Sequence, residues 1–421
     1  MDAKIFADRR RRLGEALQNN SLLVLFSGDA PVKSEDETFP YNPNRDFYYV
    51  TGLPQPNLAL LLHKSAETVS EILFVQRPDP VAEKWTGHIL TTTEAKATSG
   101  ISQAAYVDVL TEKMTYIFRR QPVTHVYLDL PPQPWQAATT PAQQLGEDLR
   151  RRRPDLMIRN AHVELANLRS VKSEAEVTAI RRAIEVTRDG ILSMMSHAHG
   201  GMKEHELEAH FDFVLKQAGV TDFAFPSIVA GGHNATVLHY SENNQVIGNG
   251  DLVLTDVGAQ MDYYNGDITR TFPVNGKFNQ RQKQLYEIVL RTQQAVLDAI
   301  APGVAYKDLN KRTRETLIKE LQAIGLIDTG ENQDEQLSEY YFHNVSHSLG
   351  LDTHDVWPDG DVTLVPGMVL TVEPGIYVPE EHIGIRIEDN VVVTTDGCRV
   401  LSPDIPKTVD EIEAYMAHRD Q

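Results

Sequence analysis

Four carboxylates and a group of histidines define the chemistry open to this chain. Asp256 and Asp267 stand 11 positions apart in a stretch, residues 252–272, that opens apolar and β-branched, breaks at small and polar residues, and returns as Ile-Thr-Arg-Thr-Phe. That pattern reads as two strands joined by a tight connection. A hairpin centred between Met261 and Asp262 sets the two aspartates directly opposite each other, where β-carbons lie about 4.5–5.5 Å apart. Like charges that close destabilise a hairpin unless a cation lies between them. The competing reading makes one aspartate a turn residue and the other a cap.

Glu373 and Glu388 repeat the arrangement, 15 positions apart around a midpoint between Glu380 and Glu381. Pro374 removes a ladder donor just after Glu373. Alternation in Gly384-Ile-Arg-Ile-Glu388 puts Gly384, Arg386 and Glu388 on one face, and an inward Arg beside an inward Glu needs a partner. A structural salt bridge is the alternative there. The imidazoles are His343, His347 and His354 within twelve residues, with His239 standing apart in Val237-Leu-His-Tyr240. His205 and His210 imitate a zinc-protease helix but are five apart. About 500° of rotation turns them away from each other, whereas that motif needs a spacing of four.

Carboxylate-rich sites with one imidazole suit harder divalent ions: manganese (Mn2+) first, with zinc or cobalt as alternatives. Four carboxylates exceed what one ion needs. Two ions about 3.5–4 Å apart with shared carboxylates use them all and lower the pKa of a water between them, which points to hydrolysis.

The elements that must hold these residues follow from hydrophobic pattern. At 421 residues the chain suggests two domains, with a boundary near 160–172. Residues 4–19 read as an amphipathic helix with Phe6, Leu13 and Leu17 on one face, and Arg9–Arg12 as a solvated charge run. Apolar runs at Leu22–Phe26, Phe47–Val50, Leu58–Leu62, Ile72–Val75 and Val126–Leu130 read as strands. With helices between some of them they make an α/β domain with a mixed sheet. Ser173 and Glu176 form a capping box that opens a long helix. Helices over about 203–217, 280–300, 307–324 and 409–417, with strands at 368–372, 384–387 and 391–394, make the second half α+β. The chain is 41% hydrophobic and 24% charged, has one cysteine, Cys398, and carries a net charge of -19. No run approaches the roughly 20 apolar residues of a membrane span. The acidity argues against a nucleic-acid or membrane-surface partner. The lone cysteine and the lack of a secretory signal favour the cytoplasm.

The set Asp256, Asp267, His347, Glu373 and Glu388, in that order, resembles the five-ligand site of the pita-bread metallopeptidases. The contexts match as well: Asp256-Val-Gly-Ala, Gly266-Asp-Ile-Thr-Arg270, Ser346-His-Ser-Leu-Gly350, Glu373-Pro-Gly and Arg386-Ile-Glu388. The first half, through Phe39-Pro-Tyr, Arg45-Asp-Phe-Tyr-Tyr-Val-Thr-Gly52, Arg77-Pro-Asp-Pro and Trp85, is similar to the aminopeptidase P branch of Xaa-Pro peptidases. The resemblance implies a creatinase-like N-terminal domain over 1–165 and a pita-bread catalytic domain over 166–421. It implies hydrolysis by a hydroxide bridging two divalent metals, releasing the residue before proline from peptides with proline second, by a homodimer or homotetramer. Glu373 takes the role of general base and metal ligand. His239 and His354 take positions facing the substrate carbonyl and the tetrahedral intermediate, His343 a proline-pocket position, and Arg386 and Tyr377 supporting or substrate-side positions. An Xaa-Pro dipeptidase with the same dinuclear site is the alternative, followed by a metal-free creatinase-type hydrolase and a binding protein that has lost catalysis. Asn344, Ser348 and Trp357-Pro358 depart from the usual pattern at the pocket rim.

Overall fold

The apolar runs at 22–26, 58–62, 72–75 and 126–130 fall in strands of one six-stranded mixed sheet, in a computed structural model that describes residues 1–66, 68–220 and 222–418. The chain divides into two units, Met1–Arg169 and Ser170–Gln421.

In the first unit the spatial order is Ala104–Tyr106, Val69–Val75, Ala59–Lys64, Ser21–Phe26, His125–Leu128 and Met157–Asn160. Ala59–Lys64 runs antiparallel to both neighbours, and the other pairs are parallel. Leu22, Val24, Leu61, Phe74 and Val126 point into a common core.

Two sequence expectations fail in this unit. Phe47–Val50 belongs to the helix Arg45–Thr51, capped by the Asn44 side chain at its start and by Gly52 at φ 69° at its end. The run is apolar because the short helix is buried on all sides, and apolar runs of this length do not distinguish strand from helix. Arg9 and Arg10 are buried rather than solvated. Arg10 reaches Glu71 at 2.7 Å and donates to the Val50 and Ser99 carbonyls; Arg9 donates to the Tyr49 carbonyl and lies over its ring. Arg11 of the run behaves as a surface cation, paired with Asp8 and Glu15.

In the second unit Ser173 opens the helix Glu174–His197, with the Glu176 carboxylate reaching back to its backbone N–H. That helix packs on Glu204–Gln217, and Gln280–Leu297 packs on Tyr306–Ala323. Among the described residues the helices enclose the two-stranded pair Gln260–Met261 with Tyr264–Asn265 and three further small antiparallel sheets. One orders Ile268–Pro273, Leu252–Val257 and Ile228–Gly231; another orders Val369–Val372, Asp389–Val393 and Cys398–Val400; the third pairs Gly375–Val378 with Ile383–Arg386. Among the described residues no helix is long and apolar enough to cross a membrane.

Candidate metal centre

The ladder of the first hairpin pairs Asp256 with Thr269 and Val257 with Ile268. The expected direct opposition of Asp256 and Asp267 is therefore incorrect. The turn is centred one residue later, on Asp262 and Tyr263, both left-handed at φ 50° and 64°. Two consecutive left-handed residues match the twist of a two-residue hairpin. The displacement moves the partner of Asp256 by two residues, so Asp256 and Asp267 still share a face and become diagonal neighbours. Extending the ladder one step sets Gly258 against Asp267, and a Cβ on Gly258 would overlap the Gly266 carbonyl.

The glutamate pair follows its expected register. Val372 pairs with Asp389, and Gly375 with Arg386, so one continuous register brings Glu373 opposite Glu388. Here the ladder opens. The Glu373 N–H donates to Val345 at 2.8 Å and the Glu388 N–H to Thr269 at 3.0 Å. The two carboxylates thus stand where four segments meet. His347 arrives on one of them: its N–H donates to Thr371 Oγ1, and its carbonyl accepts from the Thr371 N–H.

These residues line one cleft of about 890 Å³ that holds Asp256, Asp267, Glu373, Glu388, Arg386 and the four histidines 239, 343, 347 and 354. Ligand atoms of Asp267, His347 and Glu388 all lie within 4.8 Å of one another. His347 Nε2 is 3.3 Å from Asp267 Oδ2 and 3.4 Å from Glu373 Oε1. His354 stacks edge-on against His347, centroids 4.4 Å apart, and His239 is exposed at the rim. Tyr377 lies behind the wall: Arg386 Nη1 donates to its hydroxyl at 2.9 Å, and the hydroxyl meets His343 Nε2 at 3.0 Å. Arg386 pairs with Asp256 at 2.6 Å, and among the described residues the alternative reading, an Arg386–Glu388 salt bridge, does not form. His205 and His210 stay outside, His205 on the Asn243 carbonyl and His210 stacked on His197.

The electrostatics are those of anions packed together. Burial, with Asp267 and Asp256 adding to it, pushes Glu373 up to about 7 against the pull of His347 and Arg386. Burial first and Asp267 second raise Glu388 well above the carboxylate range, and burial also raises Asp267. Burial alone would depress His347, but the hydrogen bond it donates to Asp267 and the charge of that carboxylate carry it up to about 9. Burial and then Arg386 push His343 down to about 4. Asp256 Oδ1 and Glu388 Oε1 are buried with no hydrogen-bond partner among the described residues. Buried carboxylate oxygens normally find donors, so these two fit a cation.

Three supporting residues were not singled out from sequence. Thr269 Oγ1 donates to Glu388 Oε2 at 2.8 Å and accepts from Arg386 Nε at 3.1 Å. Thr371 orients His347, and the Asn390 side chain clamps the Asp267 backbone at both N–H and carbonyl. The available signal was alternation, since Thr269 lies two residues from Asp267 and Thr371 two from Glu373. A second cluster, Asp46, Asp129 and His162 in the first unit, has Arg169 on Asp46 at 2.7 Å, so the chain supplies its own cation there.

The sequence pattern of metallopeptidase family M24 matches residues 178–395, and that of the aminopeptidase P N-terminal domain matches residues 6–127. The chain belongs to metallopeptidase family M24, with a pita-bread catalytic domain behind an aminopeptidase P-type N-terminal domain. It is 33% identical to a Haemophilus influenzae Xaa-Pro aminopeptidase, covering 98% of this chain and 96% of that one. A Bacillus anthracis structure with a provisional aminopeptidase P designation superposes with TM-score 0.96 at 46% identity, over 100% of this chain and 99% of that chain. Escherichia coli aminopeptidase P with the inhibitor Pro-Leu gives TM-score 0.90 at 31% identity, over 100% and 99%.

Proposed function

We propose that this protein is a metal-dependent Xaa-Pro aminopeptidase that releases the residue preceding proline from the amino terminus of peptides. The observation that carries the reading is the meeting of Asp256, Asp267, His347, Glu373 and Glu388 in one cleft, with two buried carboxylate oxygens that have no donor among the described residues. These five residues would hold two divalent ions, Mn2+ first and zinc or cobalt as alternatives. Such ions, when bound, polarise a carbonyl and ionise water near neutral pH. Residues 1–165 then serve as the N-terminal domain and 166–421 as the catalytic domain.

The side chains divide the remaining work. Glu373, raised toward neutrality, takes the proton from the attacking water and returns it to the leaving proline nitrogen. That nitrogen belongs to a tertiary amide with no N–H, so the leaving group needs a proton at this atom. His354 and His239 face the cleft and offer N–H donors to the oxygen that gains charge. His343, held neutral and fixed by Tyr377, presents an apolar imidazole face to a pyrrolidine ring. Arg386 fixes Asp256 and Tyr377 with separate prongs of its fork and draws Thr269 toward Glu388.

The full-length likeness to Xaa-Pro aminopeptidases supports this reading over a dipeptidase. A homodimer or homotetramer in the cytoplasm accompanies it; the single cysteine suits a reducing compartment. The test is a panel of Xaa-Pro-Yaa and Xaa-Pro peptides, assayed after chelation and after adding back manganese, cobalt or zinc singly. Metal-restored cleavage of the tripeptides is expected; cleavage of the dipeptides alone would make the enzyme a dipeptidase.

A further inference from the structure

His347 and His354 lie on a segment, residues 341–358, with no helix or strand of its own. Its first limb is tied along Val369–Val372: Ser348 bridges Leu370, and the Leu349 N–H donates to the Val369 carbonyl. The second limb, which carries His354, turns back through residues 350–355. The Gly350 carbonyl accepts from the Asn265 N–H, and the Asp355 N–H returns to the Ser348 carbonyl.

One cation joins the two limbs. Lys172 Nζ donates to Ser348 Oγ at 3.1 Å and pairs with Asp355 Oδ2 at 3.0 Å. Both charged side chains are 1% exposed. Ser348 adjoins His347, and Asp355 adjoins His354. The Lys172 backbone is itself fixed, its N–H donating to the Gly367 carbonyl at 2.8 Å. The fit around the ammonium is close: a Cβ on Gly350 would overlap Asp355 Oδ2 and stand 3.0 Å from Lys172 Cε. A lysine this deep in a fold needs its partner, and with that partner it is a fixed point rather than a mobile charge.

We propose that Lys172 is a positioning residue for peptide hydrolysis, its buried ammonium setting the distance between His354 and His347 across the turn of their shared segment. The proposal rests on the peptidase reading above. It makes the effect of Lys172 conditional on His354: moving an imidazole matters only while the imidazole is there. A misplacement near 1 Å costs about 100-fold in rate where a group must meet a developing charge.

The test is a double-mutant cycle on the metal-loaded enzyme with an Xaa-Pro-Yaa substrate, measuring kcat, KM and bound manganese for wild type, Lys172→Met, His354→Ala and the double variant. Asp355→Asn, alone and with His354→Ala, provides a second cycle that keeps the side-chain shape should Lys172→Met fold poorly. The expected result is a loss of about 10- to 100-fold in kcat for Lys172→Met and for Asp355→Asn, with KM within about twofold. Manganese binding stays at the wild-type level, and the kcat loss shrinks to less than about threefold when His354 is already alanine. An equal loss in both backgrounds, or a loss that tracks bound manganese, would overturn the role of Lys172 while leaving the peptidase reading intact. A wild-type enzyme that turns over no Xaa-Pro-Yaa substrate would instead overturn the peptidase reading, and this proposal with it.

Discussion

Glu373 carries the largest burden of any single side chain. It is partly buried on the cleft wall beside Asp267 and Asp256, within 3.4 Å of His347, and pushed up to about 7. Glu373→Ala is expected to fold with a melting temperature near that of wild type and to lose roughly 10²- to 10⁴-fold in kcat/KM, as removal of a general base does. Steady-state kinetics beside a thermal melt check both halves. Arg386 comes next, because its three nitrogens reach Thr269, Tyr377 and Asp256 in one plane. A lysine cannot reproduce that fork. Arg386→Lys should lower kcat by about tenfold or more, read against metal content to show that the loss lies in orientation. At this scale much was legible: every residue singled out as a ligand or substrate contact lines the cleft, apart from Tyr377 behind its wall. Thr269, Thr371 and Asn390 were not legible, because a hydroxyl or amide that orients a ligand reads like any other strand residue.

The two hairpins show why one register could be read and the other could not. Around residue 380 the alternation of Ile376, Ile383 and Ile385 leaves one way to fold the strands back, and Glu373 meets Glu388 in that register. Around residue 262 the expected turn is centred between Met261 and Asp262, yet Asn265 pairs with Gln260 and the turn forms at Asp262-Tyr263. The aspartates keep their shared face because the shift moved the partner by an even number of residues. Gly258 is the element-scale residue that this register requires, since any side chain there meets the Gly266 carbonyl. Gly258→Ala should destabilise the protein by about 1–3 kcal/mol, measured by urea unfolding. An unchanged midpoint would show that the hairpin yields freely. Phe47–Val50 was misread for a related reason: a short helix buried all round has no polar face to reveal its period. The buried Arg10 was missed because its partners, Glu71 and the Val50 and Ser99 carbonyls, lie 40 or more residues away in sequence.

Over the whole molecule the site is a store of unfavourable charge that the fold tolerates. Glu373 has a folded pKa of about 7, above the ordinary carboxylate value of about 4.3, and Asp267 and Glu388 are raised as well. A raised folded pKa means the folded state holds the proton more tightly. Its stabilisation is complete below the ordinary range and is lost as pH rises through the folded value. His347, carried up to about 9, acts in the same direction at higher pH. The chelated protein should therefore melt lower at pH 8 than at pH 5, by roughly 2–4 °C for each kcal/mol lost. Ions that replace the protons stabilise the folded state by mass action, so the gap between loaded and chelated melting curves should widen as pH rises. Calorimetry at both pH values checks this, and a gap that narrows would mean that the carboxylates do not face bound cations. The two-part organisation was legible at this scale because long helices and small antiparallel sheets follow a region of alternating strands and helices. The convergence of residues 256, 347 and 373 was legible only through the family resemblance, since no local pattern fixes which distant segments meet.

The central claim is that five side chains hold two ions without which no Xaa-Pro bond is cut, and a stoichiometric titration tests it most directly. Chelated protein is titrated with manganese while Xaa-Pro-Yaa cleavage and bound metal per chain are followed together. The account predicts no turnover at zero metal, a rise that saturates near two ions per chain, and loss of metal binding in the Asp267→Asn and Glu388→Gln variants. Full turnover by metal-free protein, or metal uptake indifferent to those two carboxylates, would contradict it.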